Sequence, residues 1–232
     1  MNIKSILLLL VFLKSNICFA DTSLYGDLNH LEGLYKRLQH SHISETYETV
    51  QEISENFAKT APWRRACVAD ATALLLFLTT GTITCDISKE AAGGNYPELN
   101  YEYIEKYLGF KKSKYDYNSA AVDRENKYHT ISEEEFTNDI HSYLDEGELA
   151  FVTVIDSNWT HGHQFLVTYL NGEYWVIHTP EMVVTNGTSE KLSNFIARYR
   201  SGNCQNREVV FLYGIVNRPI CHLYNCQPLN GL

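Results

Sequence analysis

The sequence predicts an α+β protein, and three observations carry that prediction. Apolar residues recur at helical spacing through the first half of the chain. The second half shifts to short runs of β-branched and aromatic residues, two of them joined by Asn171-Gly172, a strong hairpin signal. Helices first and antiparallel strands afterwards define the class. The 232 residues are 44% hydrophobic, enough for one sizeable core and too apolar for a disordered chain. The formal charge of −9 lacks the basic footprint that nucleic acid or an anionic membrane surface requires.

Residues 1–20 read as a secretory signal peptide outside the fold. Lys4 precedes an apolar run, Ile6–Leu13, and Cys18-Phe19-Ala20 supplies small residues at −3 and −1 of a cleavage point. The run is too short to span a bilayer, and no later stretch reaches that length. Asn16 and Ile17 stand where a lipid-anchored cysteine wants small neighbours. The expected product is a single secreted or periplasmic domain, residues 21–232, without membrane insertion. Losing Lys4 and Lys14 leaves 17 basic against 28 acidic side chains, a charge of −11.

Asp27–His40 and Ser44–Lys59 carry the spacing of amphipathic helices. Ala66–Leu78, after Pro62, is apolar nearly all round, which predicts a buried central helix stopped by Gly81. Leu99–Leu108 reads as a short helix, and the polar, tyrosine-rich Lys111–Tyr128 as a surface excursion. Ser132 and Glu135 form a capping box that opens a helix to about Asp145, ending at Gly147. Leu149–Ile155 is a strand by its β-branched run. Gln164–Leu170 and Glu173–Thr179 flank the two-residue turn, so cross-strand partners have numbers summing to 343. Glu190–Arg200 reads as helix and Glu208–Val216 as a last strand.

The mature chain keeps five cysteines: Cys67, Cys85, Cys204, Cys221 and Cys226. In an oxidising compartment an odd number leaves one thiol or an intermolecular bond. Cys221 and Cys226 suit a local staple. Cys85–Cys204 would leave Cys67 as the thiol, whereas Cys67–Cys85 would leave Cys204.

The candidate chemistry starts at Cys67, near the beginning of the buried helix and just after Arg64-Arg65. The helix N-terminus and two guanidinium groups favour thiolate over thiol, as a fixed nucleophile needs. A small core cysteine is the plain alternative. The base such a nucleophile requires is a histidine on a rigid element, oriented by a third polar group. His163 opens a strand, and the hairpin register sets His178 on the same face as its diagonal neighbour. Structural histidines bonded within a sheet are the plain alternative there.

These residues resemble the papain-like cysteine peptidase superfamily, in outline the bacteriocin-leader (C39-like) peptidases and the NlpC/P60 cell-wall amidases. Gly162-His163-Gln164-Phe165-Leu166-Val167 is similar to the histidine strand of that family, and Trp175-Val176-Ile177-His178-Thr179-Pro180 to the strand of its orienting residue. The resemblance covers about Pro62–Leu78 and Phe151–Pro180. It implies a papain-like fold, with the buried helix packed on the antiparallel sheet. It also implies a cofactor-free hydrolase cleaving peptide or amide bonds, cell-wall peptide among them. The catalytic residues would be Cys67 as nucleophile, His163 as base and His178 as orienting residue. Two positions depart from the pattern. Ala61 stands where those enzymes carry an oxyanion-hole glutamine, and Ala66-Cys67-Val68-Ala69 replaces Asp-Cys-Ser-Gly. Beyond the Cys67 backbone N–H, Asn56, Trp63 and Gln164 are the candidate oxyanion donors.

Two other classes fit parts of the pattern. His161 and His163 share a strand face, and with His178 could form a three-histidine zinc site. The chain could instead be a non-catalytic secreted interaction protein with tyrosine-rich surfaces. Asp70 lies one helical turn after Cys67 and reads as a hydrogen-bonding residue; Asp156 and Asn158 precede the histidine strand. Asn158-Trp159-Thr160 and Asn186-Gly187-Thr188 fit the N-glycosylation pattern.

Overall fold

The computed structural model describes residues 28–60, 67–81, 97–115, 131–156, 162–177, 190–202 and 208–220. Six helices are described: α1 (Leu28–His40), α2 (Ile43–Thr60), α3 (Cys67–Thr80), α4 (Pro97–Leu108), α5 (Glu133–Tyr143) and α6 (Leu192–Gly202). Seven strands accompany them: β1 (Phe110–Lys114), β2 (Ile131–Ser132), β3 (Glu148–Asp156), β4 (Gly162–Leu170), β5 (Glu173–Ile177), β6 (Glu190–Lys191) and β7 (Val209–Pro219). They form one antiparallel sheet in the order β1-β7-β3-β4-β5-β6, with β2 also paired to β7. The α+β expectation therefore holds.

Both faces of the sheet are covered, and alternation along each strand divides the core in two. Leu149, Phe151 and Ile155 of β3, with Leu166 and Leu170 of β4 and Leu212 and Val216 of β7, join α1–α4 in one cluster. Ala150, Val152 and Val154, with Phe165 and Val167 and with Phe211, Tyr213 and Ile215, join α5 and α6 in the other. Period-two side chains make this partition unavoidable once helices lie on both faces. Helix α3 is buried continuously from Ala71 to Thr80, which is why its sequence has no polar face.

The hairpin register is the one its turn dictates. Leu170 pairs with Glu173 and Leu166 with Ile177. Asn171 (φ 55°) and Gly172 (φ 79°) both take the left-handed region, as a type I′ turn requires. Gly81 stops α3 with φ 73°, and its N–H reaches Phe77 O at 2.8 Å. A Cβ there would lie 2.6 Å from the Tyr35 ring. Gly81→Ala should thus cost about 1–3 kcal/mol, combining left-handed strain with a displaced ring. The check is the urea midpoint; no change in it would mean that the ring yields freely.

Three boundaries differ from expectation. Phe110–Lys114 is strand β1, so Lys111–Lys114 is strand where a polar excursion was expected, because Phe110 packs beside Tyr101 and over Gly214 while the lysines stay at the rim. Of the rest of that excursion, Tyr115 stacks on Tyr101 (4.8 Å, 15°), and the residues from 116 on lie outside the described residues. Helix α5 starts as expected, with Ser132 Oγ accepting from Glu135 N at 3.2 Å. It ends at Tyr143, two residues early, because Leu144 is extended (ψ 106°) and Asp145 N turns to the Glu148 carboxylate. Glu190-Lys191 pairs with Val176 and Trp175 as β6, delaying α6 to Leu192.

Candidate functional site

Cys67 is the first residue of α3, half-buried, and carries a thiol rather than a disulfide sulfur. The helix terminus supplies the partial positive charge expected there. Its helix packs on β3 and β4 from the side that Leu166 and Leu170 face.

His163 is on the other side. Its ring lies parallel to that of Phe165 (6.0 Å, 16°) and 6.2 Å from Phe195 of α6. Phe165 and Phe195 belong to the α5/α6 cluster, and the His163 side chain is only 7% exposed. Odd-numbered residues of β4 look toward α6 and even-numbered ones toward α3. Periodicity placed His163 in the strand, but nothing in the sequence said which face would receive α3.

Gln164, a candidate oxyanion donor by the sequence, shares the α3 side of β4 with Leu166 and Leu170. It is fully buried; its Nε2 donates to Val152 O at 2.7 Å and its Oε1 accepts from Thr153. Asn56 is buried on α2. Asp70 lies within α3 and Asp156 ends β3. Trp63, His161, His178, Asn158, Asn186, Cys85, Cys204, Cys221 and Cys226 lie outside the described residues. Among the described residues no group of three His, Cys, Asp or Glu is placed to hold a metal ion, and His163 is the one member of the expected zinc trio that they include.

A different concavity emerges on the face that His163 shares. Helix α5 lies over β7, where Phe136 stacks on Phe211 (4.3 Å, 4°), and α6 packs on β5 and β6. With β3 and β4 between, β7 and β5 are about 14 Å apart at ~4.8 Å per strand. Helices packed directly on each other are separated by about 8–10 Å. The result is a groove of about 380 Å³. Glu133, Thr137 and His141 line one wall, and Ser193, Ala197 and Arg200 the other. The α5 set advances four residues at a time over eight residues, so the groove runs about 12 Å along that helix.

The two ends differ. At one, Arg200 Nη1 bridges across to Glu133 Oε2 at 3.3 Å. At the other, Lys191 Nζ bonds Glu173 at 2.7 Å, and the His141 ring lies 4.5 Å from that of Tyr174. The sequence signal was present as an i, i+4, i+8 series and an i, i+4, i+7 series, but each resembles an ordinary solvated helix face until the topology sets them opposite one another.

No protein-family model matches the chain, and neither does any curated protein or solved structure. The site is accordingly read from its own geometry.

Proposed function

We propose that this chain is an exported, non-catalytic ligand-binding domain whose working surface is the groove between α5 and α6. The observation that carries the reading is the groove itself, because its volume falls in the range of small-molecule sites, about 300–1,000 Å³. Export rests on residues 1–20 and is tested by the mature N-terminus, expected at Asp21.

The cysteine hydrolase is the second reading, and the position of Cys67 favours it: a half-buried thiol at the first residue of a buried helix. The pH dependence of Cys67 alkylation, followed by mass spectrometry, separates the two. A binding domain should show a profile that His163→Gln leaves unchanged. An ion-paired catalytic thiolate would react fully at pH 5–6 and lose that reactivity in His163→Gln. That second outcome would restore the hydrolase.

A further inference from the structure

We propose that the α5/α6 groove takes a short peptide with a free N-terminus, its ammonium group on Glu133 and its carboxylate toward Lys191. This deepens the binding-domain reading and rests on it. Glu133 Oε2 is buried, and among the described residues it has no hydrogen-bond donor; Arg200 is at ion-pair distance without forming one. An acceptor held out of water in this way is completed by an N–H donor, and an ammonium group brings three. About 12 Å further along, Lys191 Nζ uses one of its donors on Glu173, so two remain for a carboxylate. An extended tripeptide spans about 10 Å at ~3.3 Å per residue, which matches that separation.

Glu133 with Arg200, and Glu173 with Lys191, leave each end of the groove a neutral ion pair, so the groove gives a ligand of one sign of charge no net attraction and is compatible with a zwitterion. The N-terminus of α5 and the C-terminus of α6 lie together at the Glu133 end, so their dipoles oppose and the side chains decide. Between the ends, Thr137 and Ser193 offer hydroxyls to a peptide backbone.

The test uses the mature chain, immobilised, and a pool of tripeptides with randomised side chains, offered with free N-termini or N-acetylated. Retained peptides are quantified by mass spectrometry. The free-amine pool should be retained, acetylation should reduce retention about tenfold or more, and Glu133→Gln should do the same, as expected for loss of one charge-assisted bond. Glu45→Gln, on the opposite face, is the control and should change nothing. Equal retention of both pools, indifference to Glu133→Gln, or retention of neither pool overturns the proposal. None of these results bears on Cys67 alkylation, so the two readings fail separately.

Discussion

Truncating Phe151 to alanine should lower stability by about 3–5 kcal/mol, the largest single loss expected in this fold. Phe151 is fully buried at the centre of β3, paired with Leu166 of β4 and Gly214 of β7. Its ring meets Tyr101 edge-on at 5.0 Å. Backbone ladders fix β3 on both sides, so the cavity left by the ring cannot collapse. Lost aromatic contact adds about 0.5–1.5 kcal/mol to the lost burial. At about 2–4 °C per kcal/mol for a chain of this size, the thermal midpoint should fall by roughly 6–20 °C. Phe151→Leu, which refills most of the space, should recover more than half. A loss below about 1 kcal/mol in Phe151→Ala would mean that the two sheet faces are not packed as described.

Tyr101→Phe should cost about 1–3 kcal/mol although it leaves the ring in place. The hydroxyl lies 3.0 Å from both Thr153 Oγ1 and Leu212 O, tying α4 to β3 and β7. Thr153 donates its own proton to Gln164, so toward Tyr101 it can only accept. Burial pushes the Tyr101 phenol well above the usual tyrosine range, and it stays a neutral donor at ordinary pH. The chain Tyr101–Thr153–Gln164–Val152 is closed, with every member buried. Removing one hydroxyl therefore strands the next group instead of exposing it to water. Thr153→Val alone and combined with Tyr101→Phe should give a coupling of about 0.5–3 kcal/mol in urea unfolding. Strict additivity would show that the network has no collective character.

The elements were largely legible in the sequence, and the site was not, for reasons that lie in particular residues. Asn171-Gly172 determines its own turn and with it the register of β4 and β5, because both positions need a positive φ. The apolar run of α3 and the stop at Gly81 are similarly local. Phe110–Lys114 was missed because its three lysines outweigh its one anchor, and that anchor depends on Gly214, more than a hundred residues away. His163 shows the sharper limit. Parity fixes that His163 and Gln164 point to opposite faces, but only the path of the chain around the sheet decides which layer each one meets. The groove depends on the order β7-β3-β4-β5, a property of no single segment.

The enclosure of α3 has a practical consequence for measuring any of this. A helix shielded on all sides from Ala71 to Thr80 has no local opening that admits solvent to its amides, so deuterium should reach Leu74–Leu78 only through global unfolding. Those amides form a built-in gauge of whole-molecule stability. They can be read in the native protein without denaturant, and should accelerate in step with each destabilising substitution, whichever face of the sheet carries it.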